Sequence, residues 1–145
     1  MKRSTIIFVV LILIAIGGWY GLKEYFRKNQ DLANVSAKIT TDVPSLIAAF
    51  EKDSSAANKT YLGKIIAVTG SVKSVEKDEG ATIVLNNAGN MSSVRCSMDT
   101  THLADIASVK EGQAVKIKGV CTGYTADEMG LGADVILNRC VLEKE

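Results

Sequence analysis

The chain has 145 residues, of which 47% are hydrophobic, 23% are charged and 6% are aromatic, and its formal net charge is +1. From residue 29 onward it has 12 Lys and Arg against 15 Asp and Glu, a net charge of −3. A net negative charge argues against a protein that binds the phosphates of nucleic acid through general charge attraction. The length of the chain allows one domain of ordinary size.

The N-terminus predicts a membrane anchor. Residues 6–22, IIFVVLILIAIGGWYGL, contain no charge, and a helix of 17 residues covers roughly 25 Å. Aromatic residues suited to a membrane interface end the run: Trp19, Tyr20, Tyr25 and Phe26. No small-x-small cleavage site follows, so we predict an uncleaved signal anchor over residues 6–26, with a cleaved signal peptide as the alternative.

Basic residues flank this span on both sides: Lys2 and Arg3 before it, and Lys23, Arg27 and Lys28 after it. A tail of five residues, 1–5, is expected to stay in the cytoplasm, which places the rest of the chain outside it. The first cysteine is Cys96, so a lipid-modified cysteine directly after the apolar run is excluded.

Residues 27–40 have few large apolar side chains and are predicted to be a tether, which leaves residues 41–145 as one domain. This domain is expected to begin with a helix capped by Thr41 or Asp42, with Pro44 in its first turn. One face of the helix is apolar and continues past a possible break at residues 53–55: Leu46, Ile47, Phe50, Ala57 and Tyr61.

After this helix the apolar residues recur at every second position, a period that indicates β-strands. Segments 64–78, 81–87 and 92–98 are joined by turns at 78–80 and 87–90, and a glycine, Gly70, sits on the inward phase of the first. A short helix, 101–109, is predicted to be capped by Thr100 or Thr101. Two more strands follow, in 113–121 and 134–142.

Three strands, a helix and two strands are the element order of the OB-fold, a five-stranded Greek-key barrel. The predicted class is therefore mainly β with flanking helices, the barrel being preceded by an N-terminal helix and a single transmembrane helix. An open antiparallel α+β sheet is the alternative. Gly70 favours the barrel, because a strand that serves two halves of a small barrel must coil sharply.

Several segments resemble the tRNA-anti-like OB-fold family of bacterial extracytoplasmic and membrane-attached proteins. They include YLGK at 61–64, VTGSV at 68–72, VRC at 94–96, VKIKGVCTGY at 115–124 and DVILNRC at 134–140. The resemblance covers roughly residues 43–142 and implies the fold, with the domain on the periplasmic side of the bacterial inner membrane. It implies no particular activity.

The sequence argues against nucleic acid as the partner. Single-strand binding by OB-folds uses aromatic platforms on the second and third strands, and here those strands have no aromatic residue. Arg95 is the one cation in them. A basic patch of Arg95 with Lys73, Lys116 and Lys118 remains an alternative.

No catalytic residue, metal site or cofactor is predicted. The single histidine, His102, reads as a surface residue in the first turn of the short helix, and no nucleophile is paired with it. Asp127, Glu128 and Asp134 lack the spacing of a calcium loop. A small-ligand or cation site in the loop 122–134 is kept as an alternative.

The predicted function is a membrane-anchored, non-enzymatic binding or scaffolding module that contacts a protein or serves as an accessory subunit of a membrane complex. OB-folds bind through the second and third strands and the adjoining loops. The candidate partner-binding residues are accordingly Tyr124, Met129 and Leu131 in the last loop, together with Arg95.

The cysteines Cys121 and Cys140 lie near the ends of successive strands. If residues equidistant from the hairpin centre face one another, these two can form a disulfide in an oxidising compartment, while Cys96 stays a buried thiol. Two alternatives are a Cys96–Cys140 bridge and three reduced cysteines.

Overall fold

The computed structural model describes residues 3–25, 30–78, 80–86, 89, 91–126 and 132–143. These residues belong to two units, Met1–Gln30 and Asp31–Glu145. The first unit contains helix α1, Arg3–Tyr25, in which the apolar stretch Ile6–Tyr25 is long enough to cross a membrane and has no buried part. Phe26, Arg27 and Lys28, for which interfacial or orienting roles are predicted, lie outside the described residues.

The second unit is a closed five-stranded barrel with one added strand. Its strands are β1 Ile39–Asp42, β2 Ile65–Glu76, β3 Thr82–Asn86, β4 Ser93–Met98, β5 Ala114–Ala126 and β6 Ala133–Leu142. β2 pairs antiparallel with both β3 and β5, and the parallel pairing of β4 with β6 closes the ring. The predicted OB-fold is confirmed, and the open sheet is excluded because the pairings β2–β3–β4–β6–β5 lead back to β2 and leave none of these five strands at an edge.

Two helices precede the barrel, α2 Val43–Lys52 and α3 Ser54–Tyr61. The Asp42 carboxylate accepts from the Ser45 N–H at 3.3 Å and caps α2, as predicted. Asp53 ends α2 and caps α3 by accepting from the Ala56 N–H at 3.0 Å, which explains the predicted break.

A 3₁₀ helix, Thr100–Ser108, connects β4 to β5. Its cap is Asp99, rather than the predicted Thr100 or Thr101. The Asp99 carboxylate accepts from both the backbone N–H and the hydroxyl of Thr101, at 3.0 and 2.8 Å, so the threonine is a donor to the cap.

The core fills the barrel and extends under α2. Val43, Leu46, Ile47 and Phe50 of α2 are almost fully buried, and the helix contacts the strands at one end of the barrel. Ile106 of the 3₁₀ helix is buried in the same core, and this helix contacts β6. The barrel interior is therefore packed with side chains and holds the strands as one unit.

Residues 31–40 differ from the tether that the sequence predicts. A 3₁₀ turn, Leu32–Asn34, contacts β5 and β6, and β1 pairs parallel with β2. Leu32 is only 1% exposed. A single buried leucine and a four-residue strand produce no sequence period, which is why the pattern predicts a tether. We call residues 31–42 the strap.

The register of the last two strands also differs from the prediction. Cys121 lies opposite Leu137. The pairs from Tyr124/Val135 to Ala126/Ala133 place the hairpin centre one residue earlier than the prediction assumed, so an unbroken ladder would put Asn138 opposite Cys121, and the bulge at Cys121/Gly123 moves the pairing on to Leu137. The register assumed for the Cys121–Cys140 pair is therefore wrong, and all three cysteines are buried free thiols in this structure.

Candidate functional site

The outer surface of β3 and β4 is the face through which OB-folds commonly bind ligands. Core residues alternate along both strands, so the opposite phase points outward. The outward side chains form what we call the β3–β4 face: Thr82, Val84 and Asn86 on β3, and Arg95 and Ser97 on β4. Apart from Arg95, these side chains are neutral.

Arg95, one of the predicted partner-binding residues, is paired with a carboxylate on this face. Its Nη2 donates to Oε2 of Glu76 at 2.6 Å, and the two side chains are 40% and 41% exposed. Glu76 is on β2, so the Arg95 side chain extends across the intervening strand β3. Val84, the β3 residue paired with Arg95, is only 4% exposed. The positive charge at the middle of the face is thus largely compensated.

Tyr124, a second predicted contact residue, packs inward against α2. Its ring stacks on Phe50 with centroids 4.8 Å apart and an interplanar angle of 12°. Burial raises the pKa of the Tyr124 phenol, and the negative charge of Glu51 adds to this effect. Tyr124 therefore holds α2 on the barrel. Met129 and Leu131, the other two loop candidates, lie outside the described residues.

An apolar residue that the sequence analysis missed, Met91, lies beside this loop. Its side chain is 66% exposed. A Cβ on Gly132 would lie 3.0 Å from the Met91 carbonyl carbon and oxygen, so the segment before β4 touches the segment before β6. Met91 has no periodic neighbours in the sequence, and only this tertiary contact brings it to the predicted binding loop.

Polar groups fix the same end of the barrel. The Ser93 hydroxyl donates to Asp134 across the β4–β6 pair. The Ser92 hydroxyl donates to Oε1 of Glu51 at 3.0 Å and accepts from the Ala133 N–H at 3.1 Å. Asp134, one of the carboxylates considered as a cation ligand, is thus hydrogen-bonded to Ser93. Asp127 and Glu128 lie outside the described residues.

His102 links the strap to the 3₁₀ helix before β5. Its Nε2 lies 2.9 Å from Oδ1 of Asp31, and its Nδ1 lies 3.6 Å from Oδ2 of Asp105. Nearby, Nζ of the buried Lys118 donates to the Ala33 carbonyl at 3.4 Å. The Ala33 N–H and the His102 ring hold the pKa of Asp31 below its usual value. Asp31 and His102 are 71 residues apart, so local patterns give no signal for this contact.

The other described surfaces of the barrel carry fewer groups that could bind a ligand. A groove of about 430 Å³ lies beside the start of β5 and the end of β6, with a Lys116–Glu143 ion pair of 3.1 Å on its wall. The described part of the chain contains no group of three or more His, Cys, Asp or Glu that could hold a metal ion. Of the predicted lysine patch, Lys116 pairs with Glu143 and Lys118 is buried under the strap.

Comparison with known families agrees with this geometry. The sequence profile of the tRNA-anti-like family matches residues 1–141. The chain belongs to the tRNA-anti-like family. The match includes the apolar N-terminal helix as well as the barrel of this tRNA-anti-like protein. No curated protein matches the chain closely enough to count as a relative.

A comparison with solved structures supports the OB-fold of this tRNA-anti-like protein. A Klebsiella pneumoniae protein described as a "putative nucleic acid-binding lipoprotein" superposes with a TM-score of 0.59 at 16% identity, covering 81% of this chain and 100% of that one. An Entamoeba histolytica aspartyl-tRNA synthetase gives 0.45 at 12% identity over 80% of this chain and 23% of its own. At these identities the first likeness shows the fold alone, and the second is too weak for any argument.

Proposed function

We propose that this protein is a membrane-anchored, non-enzymatic OB-fold module that contacts another protein at the membrane surface, as an accessory subunit of a membrane complex. The proposal rests chiefly on a chain that joins one exposed apolar helix, Ile6–Tyr25, to a packed barrel. On the usual ligand face of that barrel, the positive charge of Arg95 is compensated by Glu76. A face of this kind suits protein contact better than contact with a polyanion.

The location follows from the helix and its flanks. We infer that α1 stays in the bilayer as a signal anchor, with the N-terminus in the cytoplasm and the barrel outside it. The Klebsiella protein of the same fold is described as a lipoprotein, which supports a membrane-surface role for this architecture. In the present chain the first cysteine, Cys96, lies within β4, which favours attachment through the helix over attachment through a lipid-modified cysteine.

The contact surface is proposed to be the end of the barrel where Met91 adjoins Gly132. A methionine that is two-thirds exposed beside a loop containing Met129 and Leu131 provides adaptable apolar contacts. The hydrogen bonds of Ser92 and Ser93 fix the base of this surface, so it can bind without large rearrangement.

Site-specific photo-crosslinking in cells tests this surface. A photoreactive phenylalanine analogue at Met91 is expected to crosslink the full-length protein to a discrete membrane protein, detected as a shifted band and identified by mass spectrometry. The matched control is the same analogue at Leu103, which is 40% exposed and belongs to the 3₁₀ helix before β5. Crosslinks of equal yield at both positions, or none at Met91, would contradict the proposal.

The anchor and its orientation have a separate test. Mass spectrometry of the protein extracted from membranes is expected to show residues 1–5 still attached. Protease added to spheroplasts is expected to digest the barrel while leaving cytoplasmic markers intact. A mature chain that begins after Gly21 would contradict the uncleaved anchor, and a barrel protected until lysis would contradict the orientation.

Single-stranded nucleic acid is the second candidate ligand. The OB-fold often binds nucleic acids, and the Klebsiella protein of this fold is described as a "putative nucleic acid-binding lipoprotein". The net charge of −3, the lack of aromatic residues on β3 and β4, and the Arg95–Glu76 pair favour protein contact over this alternative.

A further inference from the structure

We propose that His102 makes the attachment of the strap depend on pH, and that the attached strap covers a row of side chains on the outer surface of the barrel. Protonation of the imidazole favours the covered form. The proposal concerns the OB domain alone and does not depend on the protein partner proposed above.

The row that the strap covers lies on the outside of the barrel. Ala67 of β2, Lys118 of β5 and Val141 of β6 are aligned across these three strands, and the residue before each of them belongs to the barrel core. The row therefore points outward, because successive side chains of a strand point to opposite faces. All three residues are nevertheless buried. They lie outside the barrel core and need a cover of their own.

The 3₁₀ turn of the strap provides this cover. The turn contacts both β5 and β6, and Leu32 within it is buried although it is not part of the barrel core. Nζ of Lys118 donates to the Ala33 carbonyl at 3.4 Å, which places the turn over the row. Detachment of the turn is therefore expected to expose Ala67 and Val141 and to remove this partner from Lys118.

Both ring nitrogens of His102 face carboxylates. Nε2 lies 2.9 Å from Oδ1 of Asp31 on the strap, and Nδ1 lies 3.6 Å from Oδ2 of Asp105 on the same 3₁₀ helix as the histidine. An ionised carboxylate can only accept, and a neutral imidazole carries a hydrogen on one of its two nitrogens. The neutral ring therefore directs a lone pair at one of the carboxylates, whereas the imidazolium presents an N–H to both. The geometry is suited to the protonated ring.

The other charged groups on the elements packed around this contact are Asp99 on the 3₁₀ helix, Lys118 on β5 and Arg139 on β6. Histidine changes its charge between about pH 5 and pH 8. Carboxylates ordinarily titrate below this range, and lysine and arginine above it. His102 is therefore the group whose charge changes here near neutral pH.

The strap contact consequently has two pH limits. Loss of the proton from His102 leaves at best one neutral hydrogen bond to Asp31, so the contribution of the histidine is present at the acid end of its range and is lost as the pH rises. The pKa of Asp31 is below the usual 3.8, owing first to the Ala33 N–H and then to His102, so its own contribution is lost only as the pH falls through that lower value. The strap should be held most tightly at about pH 5, between these limits.

The size of the effect is limited by solvent. The His102 and Asp31 side chains are 23% and 44% exposed, so water screens their attraction. We expect the equilibrium for opening of the strap to change about threefold when a neutral hydrogen bond replaces the charge-assisted one at such a site. Deprotonation thus raises the population of the open strap while the barrel stays folded.

Hydrogen exchange of the full-length protein in detergent micelles, measured by mass spectrometry, tests the attachment. The ratio of intrinsic to observed exchange rate is compared, so the pH dependence of the intrinsic rate cancels. The protected amides of the strap include those of Val35, which donates to the Leu32 carbonyl at 3.2 Å, and Lys38, which donates to the Ile65 carbonyl at 2.9 Å. Protection of peptides from the strap should fall about threefold between about pH 5 and pH 8, whereas protection of β2 should stay constant.

Two variants show whether His102 causes the change. His102→Gln keeps a hydrogen-bond donor but cannot take up a charge, and Asp31→Asn removes the carboxylate while keeping a side chain that can cap the turn. In both, protection of the strap should be low at either pH and should not change. An unchanged protection in wild type, a change that persists in both variants, or an equal change in β2 would each overturn the proposal.

Acetylation of Lys118 tests the cover itself. Lys59 is exposed and is the internal reference, since the reactivity of both amines rises with pH in the same way. Mass spectrometry of the acetylated full-length protein should show the ratio of Lys118 to Lys59 modification rising about threefold over the same pH range in wild type, and no rise in His102→Gln. A constant ratio in wild type would mean that the strap does not uncover the row.

Discussion

Gly70 lies where the first turn of α2 meets β2. A Cβ at this position would be 2.4 Å from Cγ2 of Val43, which is itself fully buried and cannot retreat. Gly70→Ala is expected to destabilise the domain by about 1–3 kcal/mol, the usual cost of overpacking a core. Urea unfolding of the full-length protein in micelles, followed by circular dichroism, measures the change.

Gly123→Ala is the matched control for this prediction. Gly123 is also a strand glycine, on β5, and a Cβ there would meet nothing within 4 Å. The control should change the free energy of unfolding by no more than about 0.5 kcal/mol. Equal effects of the two substitutions would show that strand propensity, and not the contact with Val43, explains the glycine at 70.

At the scale of elements, aspartates begin four helical segments. Asp31, Asp42, Asp53 and Asp99 each accept a backbone N–H two or three residues further on. These caps fix where the chain enters each helix, and Asp31 also carries the strap's contact with His102. The strap and the helices are therefore positioned by the same kind of interaction, an aspartate side chain that caps a backbone N–H.

The strap is expected to depend mainly on Leu32. Leu32→Ala should lower the free energy of unfolding by about 2–3 kcal/mol, because the side chain is 1% exposed and its removal leaves a cavity over β5 and β6. Hydrogen exchange of the amides in 31–42 should rise in parallel. Leu62→Ala, at a site 46% exposed, is the control and should cost less than about 1 kcal/mol. A Leu32→Ala protein as stable as the control would mean that the strap is not bound in solution.

The pH dependence of the strap follows from Asp31. Its pKa in the folded protein is below the usual 3.8, owing to the Ala33 N–H and then to His102, so the unfolded chain binds more protons near that pH. The contribution of Asp31 is thus present above pH 3.8 and is lost as the pH falls through its folded pKa. Wild type should melt at a higher temperature than Asp31→Asn at pH 5, and the difference should close towards about pH 2.

At the scale of the whole molecule, charge separates the two candidate functions. The part of the chain after residue 28 has a net charge of −3, and Arg95 is paired with Glu76. The full-length protein in micelles is expected to bind labelled single strands no more tightly than about 10⁻⁴ M at physiological salt. Fluorescence anisotropy over a salt series measures this. A micromolar, salt-sensitive affinity that Arg95→Ala abolishes would favour nucleic acid instead.

Much of the fold was predictable from local patterns. The change from helical period to period two, the break at Asp53, and the order of three strands, a helix and two strands are each properties of short segments. The strap was not predictable, because Leu32 has no periodic partners and its contacts are with strands more than 80 residues away. The surroundings of the candidate site were only partly predictable: Arg95 lies on the strand that the pattern predicts, but its pairing with Glu76 and the place of the exposed Met91 depend on which strands and loops are adjacent.

The sequence by itself determined the apolar helix, the OB-fold and the acidic charge of the domain, since each follows from residue type and spacing alone. Only the tertiary structure decided that Leu137, and not Cys140, lies opposite Cys121, that Tyr124 stacks on Phe50, and that His102 contacts the strap. The alternating pattern predicts each strand but not its pairing, because the hairpin centre and the bulges in β2, β5 and β6 set the register residue by residue. The other two contacts join residues far apart in the sequence, so no local pattern encodes them.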